Sequence, residues 1–171
     1  MKIFISGNSG LGKSTVMNEL AHRGFAAIDG DEEPGLARFE LKATGKPVSW
    51  PKGFVDWSKY SWNLQADKLQ EVLGRSDDVF IGGIYNNQTD FYRIFDKLLV
   101  LAVSREEHAR RLASRKPREF GDGPQNNEER LNKQLAIRQR MLDAGATEID
   151  ASGTPAQTAD RILEATIYAG K

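Results

Sequence analysis

The sequence predicts an α/β fold: a five-stranded, mainly parallel sheet covered by helices on both faces. Three observations carry that prediction. Five short strand-like runs alternate with mostly helical stretches along the 171 residues. A glycine-rich turn joins the first apolar run to the first helical stretch. Two later helix starts carry capping signatures, which mark where a preceding segment hands over to a helix.

Taken in order, Ile3-Phe4-Ile5 ends at Ser6-Gly7, the pattern of a buried strand feeding a turn. Lys13 to His22 then places Val16, Met17 and Leu20 at helical spacing, with Gly24 as the stop. Phe25 to Ile28 reads as the second strand, Asp78 to Ile81 as the third, Lys97 to Val103 as the fourth and Thr147 to Ile149 as the fifth. Leu64, Leu69, Val72 and Leu73 give the helix before the third strand its apolar face. Ser104 precedes Glu107 at capping-box spacing. Thr154-Pro155-Ala156-Gln157 pairs an N-cap threonine with proline at the first helical position and glutamine at the third. Gly24, Gly74 and Gly145 each follow a helical pattern, where a residue without Cβ takes the left-handed conformation that ends a helix.

Two stretches exceed a minimal sheet-and-helix unit. Glu32 to Lys59 contains Pro34, Pro47 and Pro51, and Lys116 to Asn127 contains Gly121-Asp122-Gly123-Pro124. Long loops in a compact domain are often lids or binding loops. The expected organisation is one domain over residues 1–171, with an acceptor-binding insertion over about 32–75 and a short lid over about 116–127.

Composition narrows the function classes. Lys plus Arg and Asp plus Glu both number 24, so no overall field draws the chain to nucleic acid or an anionic membrane. With no cysteine there is no disulfide, thiolate zinc site or thiol catalysis. The N-terminal apolar run is too short for a signal-peptide core and no stretch approaches a membrane span, so the expected location is cytoplasmic.

Gly7-Asn8-Ser9-Gly10-Leu11-Gly12-Lys13-Ser14 fits G-x-x-x-x-G-K-S in the strand-to-helix context that this motif needs. Its glycines let backbone N–H groups turn inward around an anion, and the following helix N-terminus adds partial positive charge. The nucleotide cradle is therefore expected over Gly7, Ser9, Gly10, Leu11, Gly12, Lys13, Ser14 and Thr15. Lys13 is expected to reach the β and γ phosphates and Ser14 to offer its hydroxyl to Mg²⁺ on the nucleotide. The fold class becomes a three-layer P-loop NTPase fold, with ATP and Mg²⁺ as the expected cofactors.

In this motif and in its order of elements, nearly the whole chain resembles the nucleoside-monophosphate-kinase-like group of P-loop proteins, which includes adenylate, shikimate and gluconate kinases. Asp29-Gly30-Asp31 is similar to the D-x-D that shikimate and gluconate kinases carry after the second strand. The resemblance implies that Asp29 serves the Mg²⁺ shell and Asp31 the acceptor hydroxyl. A carboxylate there lies in the crevice where open α/β sheets bind ligands, placed to orient metal-bound water or accept a proton. Phe80-Ile81-Gly82-Gly83 resembles the glycine ending of the third strand in shikimate kinases, which implies that substrate approaches the backbone at Gly82 and Gly83. Arg110-Arg111-Leu112-Ala113-Ser114-Arg115 resembles the R-L-x-x-R opening of the lid, and Arg111 and Arg115, four apart, share one helical face. A lid arginine neutralises charge on the transferring phosphoryl group. Asn132 and Gln134 stand where adenylate kinases place arginines, so a second lid arginine is either missing or supplied by Arg118, Arg130 or Arg138.

The acceptor side has several readings. Trp50, Trp57 and Trp62, with Phe54 and Tyr60, either stack on a base or sugar face or anchor the insertion to the parent domain. Arg38 and Lys42, four apart on an expected short helix, either grip an acidic acceptor or stand in solvent. Asn86-Asn87-Gln88 suits neutral hydroxyls or base edges, or forms the loop before the next helix. His22 and His108 stand isolated on helices, without partners for a triad or a metal site. The leading function is an ATP-dependent kinase of a small sugar acid, polyol, nucleoside or nucleotide. The alternative is a nucleotide-binding or slow ATPase module that regulates a partner.

Overall fold

The computed structural model describes residues 1–50, 55–114 and 127–169. Its central sheet contains β1 (Lys2–Ser6), β2 (Ala26–Asp29), β6 (Val79–Gly82), β7 (Lys97–Ala102) and β8 (Thr147–Asp150). Their order is β2-β6-β1-β7-β8 and every pairing is parallel. Helices α1 (Lys13–His22), α2 (Ala66–Leu73), α3 (Arg105–Ser114), α4 (Asn127–Asp143) and α5 (Pro155–Ala165) supply the connections. All five expected strands form, each within about two residues of its expected bounds.

Alternation along the strands sorts the core into two layers. Ile3, Ile5, Phe80, Leu99 and Leu101 point to one face and meet Val16, Met17 and Leu20 of α1 with Ala159, Ile162 and Leu163 of α5. Phe4, Val79, Ile81 and Val100 point to the other and meet Leu69, Val72 and Leu73 of α2 with Ile137 and Met141 of α4. Helices on both faces bury β6, β1 and β7 most fully, which is why these three strands read as near-continuous apolar runs, whereas the edge strand β8 is mostly exposed.

The insertion forms a second sheet. β3 (Ala37–Leu41), β4 (Pro47–Val48) and β5 (Tyr60–Leu64) pair antiparallel in the order β4-β3-β5. The short helix expected to carry Arg38 and Lys42 is thus a strand and the turn after it. Register decides the outcome: Arg38 pairs with Asn63 and Phe39 with Trp62, so apolar and polar side chains separate onto opposite faces. Leu36, Ala37 and Leu64 join the core beside α2.

The helix ends follow the expectation in part. Thr154 and Gln157 form the full reciprocal capping box. Ser104 accepts from the Glu107 N–H at 3.2 Å, but the Glu107 carboxylate turns away to Arg110 and Arg111. Gly24 and Gly145 are left-handed, whereas Gly74 has φ −80° and ends α2 without that conformation.

Candidate active site

The C-terminal ends of β1 and β2 open into one cleft of about 400 Å³. Asn8, Ser9, Gly10, Gly12, Lys13, Ser14 and Thr15 line it from the loop after β1, and Asp31, Ile84 and Arg111 line it from three other segments. Gly10 and Gly12 stand at φ +87° and +84°, left-handed conformations that carry a steric cost for any residue with a Cβ. These conformations leave the Gly10, Gly12, Lys13, Ser14 and Thr15 amides with no acceptor among the described residues. α1 starts at Lys13 with no side-chain cap, so its dipole end is open to the same cleft. Lys13 is 9% exposed and has no ion-pair or hydrogen-bond partner for its ammonium among the described residues. A nearly buried cation amid open amides is a site built for a polyanion.

Not every amide of the motif joins the cradle. The Asn8 N–H donates to Gln134 Oε1 at 2.6 Å and the Ser9 N–H to Asn8 Oδ1 at 2.9 Å. Gly7 and Leu11 are buried, and a Cβ at Gly7 would lie 3.0 Å from Leu11 Cδ1. Leu11 thus anchors the loop in the core.

Asp29 and Asp31 bracket Gly30 at the end of β2. Asp31 is exposed at the cleft, and its Oδ1 accepts from Trp62 Nε1 at 3.2 Å. Asp29 does not line the cleft; its Oδ1 accepts the Asp31 N–H at 3.1 Å, and its Oδ2 is buried with no partner among the described residues. Ser14 lines the cleft with a hydroxyl and Asp29 carries an unsatisfied carboxylate oxygen, and hard oxygen donors of this kind suit Mg²⁺ or its water shell. Among the described residues no group of three or more acidic or histidine side chains could hold a metal ion.

Gly82 and Gly83 lie beneath this turn, where packing accounts for their lack of a side chain. A Cβ at Gly82 would stand 2.8 Å from Met17 Cγ, and one at Gly83 would stand 2.2 Å from the Tyr85 hydroxyl. Burial pushes the Tyr85 hydroxyl well above the ordinary tyrosine value, and the Asp31 and Asp29 carboxylates add to the effect. The phenol therefore stays neutral under the two acids.

Arg111 reaches the cleft from α3 with its guanidinium already oriented. Nε donates to Glu107 Oε1 at 2.7 Å and Nη2 to the Ala151 carbonyl at 2.9 Å. The Arg111 hydrogen bond is the main reason the Glu107 carboxyl is held below its usual range. Arg115 and Arg118 lie outside the described residues, as does most of the expected lid. Arg38 sits on the polar face of β3, where Nε donates to Glu40 Oε1 at 2.8 Å. Lys42 donates to the Trp57 carbonyl at 2.6 Å.

The aromatic residues pack on one another. Phe39 lies 5.0, 5.8 and 4.8 Å from Trp50, Trp57 and Trp62 between ring centroids. Trp62 still touches Asp31, so the cluster both anchors the insertion and reaches the acidic turn. The amides Asn86, Asn87 and Gln88 are structural: the first two bond the Trp62 and Leu64 backbone of β5, and Gln88 accepts the Tyr85 N–H at 3.0 Å.

Two site residues are not legible as such in the sequence. His108, expected to be isolated, is 3% exposed with Nε2 2.8 Å from the Ser9 carbonyl oxygen. Gln134, in place of a lid-type arginine, is 6% exposed and spans Asn8 N–H and the Leu101 carbonyl. The available signal is spacing: His108 is four before the buried Leu112, and Gln134 falls between Leu131 and Ile137 on the buried stripe of α4.

Several solved structures that resemble this chain are kinases. A gluconokinase from Sinorhizobium meliloti 1021 superimposes with TM-score 0.50 at 18% identity, covering 99% of this chain and 97% of its own. A sugar kinase from Janibacter sp. HTCC2649 gives 0.52 at 19%, covering 95% and 91%. A deoxyadenosine kinase from M. mycoides with bound dATP gives 0.51 at 17%, covering 96% and 98%. No protein-family profile and no curated protein sequence matches the chain. These likenesses show the P-loop kinase fold, and the five-stranded parallel sheet observed here agrees with the expected fold class.

Proposed function

We propose that the chain is an ATP- and Mg²⁺-dependent phosphotransferase acting on a small-molecule acceptor. The observation that supports this most is that one cleft holds both the open amides with Lys13 and the exposed carboxylate of Asp31. A polyphosphate seated on the amides directs its terminal group toward the acid. Lys13 then neutralises charge on the transferred group, and Arg111, fixed by Glu107 and Ala151, bounds the donor side. As the acceptor hydroxyl oxygen bonds to the γ-phosphorus and the bond to ADP breaks, the hydroxyl proton passes to Asp31. Ser14 and Asp29 would hold Mg²⁺, which supplies charge neutralisation to the phosphates when bound. In this proposal Arg115 adds positive charge for the transferring phosphoryl group, as its likeness to a lid arginine implies, and Gly82 and Gly83 underlie the acceptor. The similar structures include kinases of sugars and of deoxyadenosine, so both acceptor types expected from the sequence stay within the proposal.

The test is γ-phosphate transfer from ATP over a pooled set of sugar acids, polyols, nucleosides and nucleotides. Asp31→Asn is expected to keep ATP binding and lose transfer. Nucleotide binding by the wild type with no acceptor phosphorylated in the pool would favour the regulatory ATPase instead.

A further inference from the structure

α3 carries a buried histidine that phosphoryl transfer does not use. His108 Nε2 faces the Ser9 carbonyl oxygen at 2.8 Å, and a carbonyl only accepts, so Nε2 carries the proton. The peptide concerned joins Ser9 to Gly10. Gly10 stands at φ +87°, and a glycine passes between backbone regions at little steric cost. That peptide plane can therefore rotate at little steric cost on its glycine side. One orientation aims the Gly10 N–H at the cleft. The opposite one turns the Ser9 carbonyl there, where its lone pairs oppose a polyphosphate.

Neighbouring peptides are held by other partners: Asn8 N–H by Gln134, Ser9 N–H by Asn8 Oδ1, and the Gly12 carbonyl by the Val16 N–H at 3.0 Å. Among the described residues the Ser9 carbonyl is held by His108 alone. α3 closes directly on this point, since a Cβ at Gly10 would lie 3.2 Å from Leu112 Cδ2 and 3.4 Å from His108 Cδ2. One turn further along the same helix, Arg111 reaches the cleft itself.

We infer that His108 is a positioning residue for polyphosphate binding: its Nε2–H pins the Ser9 carbonyl away from the cleft and so keeps the Gly10 amide aimed at phosphate. The inference rests on the reading of the cleft as a nucleotide site. It makes α3 a two-point element, with one side chain for the bound phosphates and one for the loop that binds them.

The test compares His108→Leu, which fills the space without a donor, with His108→Gln, whose amide N–H has a similar reach. Calorimetry with ATP and with inorganic tripolyphosphate gives the affinity, and each ligand-free variant is also melted. Loss of one oriented hydrogen bond predicts a Kd for tripolyphosphate raised roughly five- to tenfold in His108→Leu and restored to within about twofold in His108→Gln. Lower melting temperatures in both variants with unchanged affinity would show a merely structural histidine and overturn the inference. A second measurement needs no substitution: ¹⁵N NMR of the wild-type histidine ring is expected to show a protonated Nε2 with and without tripolyphosphate. An Nε2 lacking its proton would overturn the inference while leaving the phosphate site standing. A wild type that binds neither ligand would overturn the phosphate site, and this role of His108 with it.

Discussion

Replacing Gly30 by alanine probes the packing beneath the two acids. The new Cβ would stand 1.8 Å from the Tyr85 hydroxyl oxygen, 3.0 Å from the Gly82 carbonyl oxygen and 3.2 Å from Leu36 Cδ2. Carbon and oxygen rest at about 3.5 Å, so the first contact must open by more than an ångström. Tyr85 has little room to yield: it is 4% exposed, its ring lies 6.3 Å from that of Phe4, and its hydroxyl abuts Gly83 on the other side. We expect Gly30→Ala to destabilise by about 2–3 kcal/mol, the upper range for an overpacked site. Tyr85→Phe removes only a long hydrogen bond to the Gly82 carbonyl, 3.5 Å, and should cost less than about 1 kcal/mol. The double variant loses the worst overlap and keeps the other two, which leaves a cost of about 1 kcal/mol. Urea unfolding followed by tryptophan fluorescence closes this cycle, and its coupling should come to about 1–3 kcal/mol. A Gly30→Ala variant within about 0.5 kcal/mol of wild type, or strictly additive single effects, would refute the packing argument.

Other perturbations address the rest of the site. Lys13→Ala should abolish transfer, and more than about a tenth of the wild-type rate remaining would remove the lysine from its assigned role. Gln134→Met keeps the volume but strands the Asn8 N–H and the Leu101 carbonyl, so unfolding should show a loss of about 2–4 kcal/mol; a loss below about 1 kcal/mol would mean that water replaces the amide. Burial raises the Glu40 carboxyl, but hydrogen bonds from Asn63, Arg38 and Gln65 outweigh it and hold the group below its ordinary value of 4.5. A depressed folded value means that Glu40 stabilises fully above the unfolded value and loses that contribution as pH falls through the lower folded one. Urea midpoints of wild type and Glu40→Gln should therefore converge as pH drops below 4.5; curves that stay parallel would contradict the linkage.

Sequence by itself determined the features whose causes are local. The first four strands of the central sheet show as apolar runs, α1 shows by its spacing, and Thr154 and Gln157 show as a box because both partners lie within four residues. The phosphate loop belongs with these, since its glycines, lysine and serine act within one strand-turn-helix unit. Tertiary structure decided whatever depends on a distant partner. Arg38 and Lys42 keep helical spacing, yet β5, more than twenty residues on, supplies the hydrogen bonds that make Arg38 part of a strand. Whether Asn86 and Asn87 face a ligand or a backbone depended on where β5 came to rest. His108 and Gln134 meet the phosphate loop across 99 and 126 residues of chain. A buried polar group takes whichever partner the packed core brings within about 3 Å, and no periodicity along the chain encodes that distance.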